Sequence, residues 1–335
     1  MAQIAIVGAG AWGTALSMVL TRNGAHQVKL WAFEKEVCES IAARRVNEPF
    51  LPGHSLPQAV RVTNNLAEAV KGAEIIVSVM PSHHCRAVFE QIASGNSLTK
   101  GAAIVSATKG VEEGSLLRMT EVIREVLDGN AASLAALSGP SFAKEVARGD
   151  PTAVTVASED SELAARVQRE FSDSCFRIYS SDDVIGVELG GSLKNIIAIA
   201  AGVCDGLGLG HNSVAALITR GLAEITRLAV ACGAKRETLA GLAGMGDLVL
   251  TCTGGLSRNR SVGVELGKGR KLPEIIAGMH GMVAEGVHTT NAAIGLAQKH
   301  KIEMPITEQM QAILHHAKPP REAIHELMTR PGKVE

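Results

Sequence analysis

Residues 1–182 alternate short apolar runs with segments of helical periodicity. The apolar runs, rich in β-branched residues, predict seven strands: Ile4–Val7, Gln27–Trp31, Ile75–Val79, Ala102–Ser106, Leu134–Leu137, Thr152–Ala157 and Phe176–Tyr179. Helix-length segments lie between them, at Ala11–Arg22, Lys35–Arg45, His83–Ile92, Ser115–Leu127 and Ser161–Phe171. This alternation predicts right-handed parallel crossovers and a doubly wound α/β sheet. Three prolines, Pro49, Pro52 and Pro57, indicate a loop insertion after the second helix.

The pattern changes after about residue 182, where the strand signal disappears. Asp183–Gly206 is a candidate long helix, and Val214–Cys232 places apolar residues at a spacing of 3.6, with Arg220, Glu224 and Arg227 on the opposite face. We therefore expect an α/β domain over residues 1–185 and an all-helical domain over residues 186–335.

The composition of the chain limits the kinds of ligand and partner that it is expected to bind. The 335-residue chain is 46% apolar with a formal charge of −1, so it should be compact, and it has no basic run to neutralise a nucleic-acid backbone. The longest apolar stretch near the middle, Ile196–Cys204, is too short to cross a bilayer, so no transmembrane segment is predicted. Without a secretory signal, we expect a cytoplasmic protein. The six Cys and eleven His show no metal-binding spacing, so no metal site is expected.

A glycine motif follows the first predicted strand. Gly8, Gly10 and Gly13 form a G-x-G-x-x-G pattern, with Ala11 and Trp12 between them, that opens the helix running to Arg22. In this context the glycines allow a tight turn and close backbone approach, and the helix N-terminus faces a pyrophosphate. The first domain is therefore predicted to be a Rossmann-type domain that binds a dinucleotide; a merely structural turn is the alternative.

The end of the second strand leaves the cofactor open between NAD and NADP. Glu34 lies 21 residues beyond Gly13, where an acid would bind a ribose 2′-hydroxyl, whereas Lys35, Arg44 and Arg45 are candidates to meet a 2′-phosphate. Alternatively, Glu34 only starts the following helix.

Polar residues after later strands are candidates for chemistry, because ligands collect at the carboxyl ends of strands in such sheets. Lys109 follows one strand and suits a carbonyl or a phosphate, although a solvated loop lysine is the alternative. Gly139 and Ser141 follow another strand and offer a backbone amide and a hydroxyl, although Ser141 also suits a helix cap.

Lys194 and Asn195 precede a strongly apolar run in the predicted long helix. Lysine is rarely buried unless it is paired or functional, and desolvation lowers its pKa toward values useful in proton transfer. Asp247, in a glycine-lined apolar turn, is a candidate partner that would orient this lysine. The alternatives are a lysine that reaches solvent from the helix edge and an aspartate that caps a helix.

A polar cluster follows Gly255. Ser257, Arg258, Asn259 and Arg260 supply the donors that a small phosphate dianion needs, although a solvated turn would look the same. The residues alone thus predict a soluble nicotinamide-dependent oxidoreductase whose substrate carries a phosphate.

Eight segments in order resemble bacterial NAD(P)-dependent sn-glycerol-3-phosphate dehydrogenases. They are GAGAWGTAL (8–16), ATKGVE (107–112), LSGPSFAKE (137–145), ELGGSLKNIIAIAAG (188–202), ITRGLAE (218–224), GLAGMGDLVLTCT (241–253), SRNR (257–260) and AEGVHT (284–289). The resemblance implies reversible hydride transfer between NAD(P)H and C2 of dihydroxyacetone phosphate, which yields sn-glycerol 3-phosphate for phospholipid synthesis, in a homodimer.

The same resemblance implies roles for individual residues. Lys194 would be the general acid and base, with Asp247 as its partner and Lys109 as a further active-site residue. The substrate would contact Lys109, Gly139, Ser141, Lys194, Asn195, Asp247, Ser257, Arg258 and Asn259. The cofactor would contact Gly8, Gly10, Ala11, Trp12, Gly13, Phe33, Lys109, Ala143, Arg258, Val283 and Glu285.

Two departures from the family pattern affect the cofactor. Position 11 is commonly Ser and is Ala11 here; position 33 is often His or Arg and is Phe33 here, which leaves open whether NADP or NAD is preferred. Two other functions are also considered: a dehydrogenase of a phosphosugar or keto acid, and a non-catalytic NADPH sensor.

Overall fold

The computed structural model describes residues 2–22, 24, 26–95, 97–128, 133–279 and 281–332. The chain divides into two compact units. The first comprises Met1–Lys109 and Leu117–Glu188, and the second comprises Gly110–Leu116 and Leu189–Glu335. The expected division after residue 185 did not anticipate that residues 110–116 cluster with the second unit.

The first unit is built on a doubly wound sheet. Its eight strands lie in the order β10-β9-β8-β7-β6-β1-β2-β5. The strands are β1 (Gln3–Val7), β2 (Gln27–Trp31), β5 (Val60–Thr63), β6 (Ile75–Ser78), β7 (Ala103–Ser106), β8 (Leu134–Ser138), β9 (Thr152–Ser158) and β10 (Phe176–Ser181). All neighbours are parallel except β8 and β9. The predicted fold class is confirmed, but the expectation of a fully parallel sheet is wrong at that pair.

The proline-containing insertion after the second helix is more ordered than a loop. It holds the antiparallel pair β3 (Val46–Asn47) and β4 (Leu51–Ser55), followed by β5, which extends the main sheet beside β2. Sequence reasoning missed these strands because β3 has two residues and because β4 contains a Pro-Gly dipeptide that favours a turn.

Helices cover both faces of the sheet. Along β1, Ile4 and Ile6 pack in one apolar core, whereas Ala5 and Val7 pack in another. Burial on both faces explains why these strands are continuous apolar runs. The helices are α1 (Ala11–Thr21), α2 (Lys35–Arg44), α3 (Leu66–Val70), α4 (Cys85–Ser94), α5 (Met119–Leu127), α6 (Ala143–Arg148) and α7 (Ser161–Phe171), with a short 3₁₀ turn at Ser82–His84.

From Leu189 onward, the secondary structure in the described part of the second unit is helical, whereas residues 110–116 form no helix. A long helix, α8 (Val184–Gly206), enters it from the first unit. The others are α9 (His211–Ala231), α10 (Arg236–Ala240), a π-helical turn (Leu242–Gly246), α11 (Asp247–Thr253), α12 (Arg258–Gly267), α13 (Leu272–Ala277), α14 (Glu285–His300), α15 (Pro305–His316) and α16 (Pro320–Met328). Helix α8 has the length and hydropathy of a membrane span, but 89% of its most apolar window is buried inside the protein, as in the core helix of a soluble protein.

Candidate cofactor and catalytic sites

The glycine loop after β1 has the backbone geometry that close packing requires. Gly8 has a φ of +124°, and a Cβ there would lie 2.6 Å from the Val79 carbonyl oxygen. At Gly13 a Cβ would lie 2.0 Å from the carbonyl oxygen of Gly8, so neither position accepts a side chain. A Cβ at Gly10, by contrast, would meet no atom within 4 Å. The loop is therefore tightly closed on the protein side and open at Gly10.

The N-terminus of α1 presents donors at this open side. Gly10 is the N-cap residue and provides no side-chain cap, and the first turn holds no acidic residue. The first N–H groups of a helix have no partner within it, so this end attracts an anion. These features fit the pyrophosphate of a dinucleotide.

Trp12 and Ala143 have mainly packing contacts. The ring centroids of Trp12 and Phe176 are 6.3 Å apart, and Trp12 and Ala143 both lie against the core of the first unit. Trp12 is the second residue of α1, so its backbone N–H is one of the donors at the open side.

The segment after β2 has fewer cations free to bind a 2′-phosphate than the sequence suggested. Arg45 donates to the carbonyl oxygens of Leu56, Pro57 and Val60, so its guanidinium is engaged within the insertion. Arg44 donates to the Ser40 hydroxyl at 3.2 Å. Arg45 is therefore not available as a phosphate ligand, which corrects the expectation for that residue, whereas Arg44 is exposed and stays a candidate.

An aromatic ring and two charges remain exposed after β2. Phe33 is 76% exposed, and its ring meets that of Trp31 edge-on at 6.1 Å between centroids. Glu34 is the N-cap of α2 without a side-chain capping bond, and Lys35 begins the helix. Both side chains are exposed.

Three candidate residues lie together after β7 and β8 in the first unit. The Lys109 ammonium is 3.4 Å from the carbonyl oxygen of Gly139, and the Ser141 hydroxyl donates to the same oxygen at 2.9 Å. Gly139 has a φ of +149°, and a Cβ there would lie 2.8 Å from Val154 Cα. Ser141 therefore bonds within the turn instead of capping α6, whose N-cap is Phe142.

Lys194 is buried in the second unit and paired. Only 6% of the residue is exposed, and Lys194 Nζ donates to Asp247 Oδ1 at 2.7 Å and to Thr251 Oγ1 at 2.6 Å. The Thr251 hydroxyl in turn donates to the Asp247 carbonyl oxygen at 2.6 Å. Sequence reasoning missed Thr251; the signal was its position four residues after Asp247, on the same face of α11.

Glycines allow the two sides of this pair to approach. A Cβ at Gly190, one turn before Lys194 on α8, would lie 2.7 Å from the Ala243 carbonyl oxygen in the π-helical turn. At Gly244 a Cβ would lie 2.1 Å from the Leu239 carbonyl oxygen. Asp247 begins α11 directly after this turn, so the GLAGMGD segment places its carboxylate against α8.

The apolar surroundings of Lys194 and Asp247 affect the protonation of nearby ionisable groups. Burial raises the pKa of the neighbouring Cys252 thiol to about 12, although the charge of Lys194 opposes the shift, so that thiol remains protonated. In such surroundings an ammonium is costly to desolvate, and a carboxylate at 2.7 Å offsets that cost.

Two buried amides link three helices next to Lys194. Asn259 Nδ2 donates to Asn195 Oδ1 at 3.0 Å, and Asn259 Oδ1 accepts the Gly286 N–H at 3.0 Å. Helices α8 and α12 meet closely enough for this because a Cβ at Gly202 would lie 2.0 Å from the Arg260 carbonyl oxygen, and one at Gly263 would lie 1.9 Å from that of Ile199.

The predicted phosphate cluster is partly engaged in other contacts. Ser257 caps α12 by accepting the Arg260 N–H, and the Arg260 guanidinium forms an ion pair with Asp205. Arg260 therefore does not supply the second free guanidinium that the sequence suggested. Arg258 is the first residue of α12, and part of its side chain is exposed. Burial of its guanidinium lowers the pKa of Arg258, and the charge of Glu285 opposes the shift. Val283 and Glu285 are half-buried at the start of α14.

The candidate residues thus form separate groups within the two units. The first unit holds the glycine loop and the group of Lys109, Gly139 and Ser141. The second holds Lys194, Asn195, Asp247, Thr251 and the Arg258 segment. Among the described residues, no group of three or more His, Cys, Asp or Glu is arranged to hold a metal ion.

Comparison with known proteins gives one consistent result. Residues 3–164 match the family model for the N-terminus of NAD-dependent glycerol-3-phosphate dehydrogenase, and residues 183–325 match the one for its C-terminus. The chain is 66% identical to a glycerol-3-phosphate dehydrogenase [NAD(P)+] of Koribacter versatilis, over all of this chain and 99% of the relative. It is 58% identical to the one of Acidobacterium capsulatum, over the full length of both chains.

A solved structure agrees with these matches. The crystal structure of glycerol-3-phosphate dehydrogenase from Coxiella burnetii superimposes with a TM-score of 0.93 at 43% identity, covering 98% of this chain and 99% of that one.

Proposed function

The chain belongs to the family of NAD-dependent glycerol-3-phosphate dehydrogenases, and we propose that it interconverts dihydroxyacetone phosphate and sn-glycerol 3-phosphate with NAD(P)H or NAD(P)+. The observation that carries the proposal is the buried Lys194, held by Asp247 and Thr251 in the helical unit of a chain whose other unit has a dinucleotide loop.

The cofactor is NAD or NADP, and the first unit fits it. Gly8 and Gly13 close the turn, the space at Gly10 admits the pyrophosphate, and the N–H groups of Ala11 and Trp12 face it. When bound, the nicotinamide supplies or accepts the hydride at C2 of the substrate. We assign Phe33 to contact the adenine, since its exposed ring provides a stacking surface. By the family resemblance we also assign cofactor contacts to Lys109, Ala143, Arg258, Val283 and Glu285.

Lys194 acts as the acid in the reduction and as the base in the oxidation. A ketone oxygen gains negative charge as C2 is reduced, and the ammonium provides the proton that neutralises it. Asp247 stabilises the ammonium form in apolar surroundings, and the Thr251 hydroxyl fixes the direction of Nζ.

Arg258 is the proposed ligand of the substrate phosphate. Burial lowers the pKa of its guanidinium and so leaves a poorly solvated cation, and arginine binds phosphate with two parallel hydrogen bonds. Ser257 and Asn259 support it indirectly: Ser257 caps the helix that begins at Arg258, and Asn259 fixes Asn195. We assign substrate contacts to Lys109, Gly139, Ser141 and Asn195 as well.

An absorbance assay of NADPH or NADH oxidation tests this function. We expect turnover with dihydroxyacetone phosphate and sn-glycerol 3-phosphate as the product. We expect far slower turnover with unphosphorylated dihydroxyacetone, which lacks the group that Arg258 binds, and none with a 2-keto acid. Preferred reduction of the keto acid would indicate a different dehydrogenase, and binding of NADPH without any turnover would indicate a sensor.

Three broader assignments accompany the activity. We propose that the protein works in the cytoplasm, that its product supplies phospholipid synthesis, and that it forms a homodimer. The homodimer rests on the family resemblance. Sedimentation equilibrium should then give twice the chain mass of 35.0 kDa; a mass equal to that of one chain would contradict the dimer.

A further inference from the structure

A surface cavity of about 270 Å³ lies at the amino-terminal edge of the main sheet, away from the glycine loop. Its lining includes Gln3 and Gln27, the first residues of β1 and β2, with Lys29, Arg61 and Lys71 around them. Gly8 follows the carboxyl end of β1, so five strand residues, about 17 Å at 3.3–3.4 Å each, separate this cavity from the dinucleotide loop.

Two cations face each other across neighbouring strands in this cavity. Lys29 on β2 is in register with Arg61 on β5, so their side chains leave the same face of the sheet. Like charges at directly opposite positions repel each other. Lys71, which follows α3, contributes a third positive charge to the same cavity.

Within the described part of the chain, none of the three cations forms an ion pair. The Lys29 ammonium donates to the carbonyl oxygens of Glu68 at 3.1 Å and Lys71 at 2.8 Å. The nearby carboxylates have other partners: that of Glu68 accepts from the Thr63 hydroxyl, and that of Glu74 pairs with Arg166.

We propose that this cavity binds a phosphate dianion, free or as a small phosphate ester, at a site separate from the cofactor and substrate sites. Lys29, fixed by two carbonyl groups, forms a preorganised cationic wall, and Arg61 and Lys71 donate from the exposed sides. The side-chain amides of Gln3 and Gln27 add neutral donors. An anion at this position removes the repulsion between Lys29 and Arg61, so its binding stabilises the first unit.

Thermal unfolding of the double variant R61Q/K71Q tests this site. The matched control is K299Q/R321Q, which removes the same two charges from exposed positions in the second unit. Each protein is heated with saturating NADPH and increasing inorganic phosphate, and again with chloride at equal ionic strength, so that screening is subtracted. NADPH oxidation with dihydroxyacetone phosphate confirms that the variants are folded.

Wild type and control should show the same phosphate-dependent rise in Tm beyond the chloride series. The part of the rise that comes from the substrate phosphate site should remain in R61Q/K71Q. The rest should need about tenfold more phosphate in this variant, because the cavity lacks two charge-assisted donors. In chloride alone it should be at least as stable as wild type, since the repulsion is gone. Equal phosphate responses in all three proteins would overturn the proposal.

A parallel series with glycerol 2-phosphate distinguishes the source of the anion. We compare the part of the Tm rise that wild type and the control share and that R61Q/K71Q lacks. A greater rise of this kind with the ester than with inorganic phosphate supports an organic phosphate as the ligand, and the reverse supports free phosphate. Absence of such a rise with both compounds would contradict the site.

Discussion

The chemistry assigned to Lys194 depends on burial and on two hydrogen-bond acceptors of its ammonium, Asp247 Oδ1 and Thr251 Oγ1. Burial favours the neutral amine, and the Asp247 carboxylate favours the ammonium. The Thr251 hydroxyl accepts from Nζ while donating to the Asp247 carbonyl oxygen, so it constrains direction and adds no charge. Charge and orientation are therefore controlled by different residues, and they can be tested separately.

Thr251→Val removes the oriented acceptor and keeps the volume of the side chain. We expect kcat to fall by about 10- to 100-fold, in line with ~1.5–3 kcal/mol for a hydrogen bond to a charged group. Steady-state kinetics with saturating cofactor measure the change. Thr251→Ser is the matched control and should stay close to wild type; a loss in kcat as large as that of the valine variant would show that the hydroxyl is not what matters.

Asp247→Asn removes the charge that favours the Lys194 ammonium. The pKa of Lys194 should fall, so the protonated amine needed for reduction is lost at a lower pH. The alkaline limb of the kcat/KM profile for dihydroxyacetone phosphate should move down by about one unit or more. An alkaline limb at the wild-type position would mean that Asp247 does not control this proton.

Some contacts between residues could not be predicted from the sequence, whereas the importance of others could. The lysine at 194 and the aspartate at 247 were singled out because each is a charge within an apolar or glycine-lined segment. The pairing of Arg260 with Asp205 and the use of Arg45 within the insertion depend on where helices and loops meet, which local pattern does not specify.

At the scale of elements, close contact between α8 and α12 keeps the Asn195 and Asn259 side chains within hydrogen-bonding distance. Gly263→Ala would place a Cβ 1.9 Å from the Ile199 carbonyl oxygen and force the helices apart. We expect a loss of about 1–3 kcal/mol in the free energy of unfolding, as for other overpacked cores, and a higher KM for dihydroxyacetone phosphate. Urea denaturation and initial-rate kinetics measure the two effects.

Gly255→Ala provides the control for this substitution. Gly255 lies in the segment just before α12, and a Cβ there meets no atom within 4 Å. Its free energy of unfolding should remain within about 0.5 kcal/mol of wild type. If Gly263→Ala were equally harmless, close helix contact would not be the source of the geometry.

A buried carboxylate on α9 caps the N-terminus of α15. Glu224 accepts the N–H groups of Ile306 and Thr307 at 3.0 and 2.9 Å. Burial raises the pKa of Glu224 above its ordinary value of 4.5, although both N–H groups oppose the shift. The folded chain therefore retains a proton that the unfolded chain releases, and this group lowers stability as pH rises through and above that interval.

Glu224→Gln keeps an acceptor but does not titrate. The free energy of unfolding of wild type should therefore decrease relative to that of the glutamine variant as pH rises from about 4 to about 8. Glu224→Ala should be less stable at every pH, by about 1–3 kcal/mol for each N–H left without a partner. Urea denaturation across this pH range checks both. A free energy of unfolding of wild type that rises relative to that of the glutamine variant as pH increases would contradict the raised pKa.

Elements with strong local periodicity were predictable, and those that depend on partners were not. The apolar strands β1, β2, β6 and β7 follow from runs that only a sheet buried on both faces accommodates. The reversal between β8 and β9 has no such signal, because a buried strand has the same composition in either direction.

At the scale of the whole molecule, a formal charge of −1 conceals local concentrations of positive charge. Lys109, Lys194 and Arg258 lie in segments assigned to one small phosphorylated substrate, and Lys29, Arg61 and Lys71 line a separate cavity. The assignment of cofactor binding to the α/β half and proton transfer to the helical half stays a prediction from the sequence. The sequence did not predict that residues 110–116 cluster with the helical unit.

The central claim is that Lys194 transfers the proton during reduction of dihydroxyacetone phosphate. The most direct test compares wild type with Lys194→Ala by single-turnover oxidation of bound NADPH or NADH, with cofactor affinity measured separately by fluorescence. We expect rapid oxidation in wild type and loss of the chemical step in the variant, by at least ~10²-fold, with nearly unchanged cofactor affinity. A near-normal single-turnover rate in Lys194→Ala would contradict this claim.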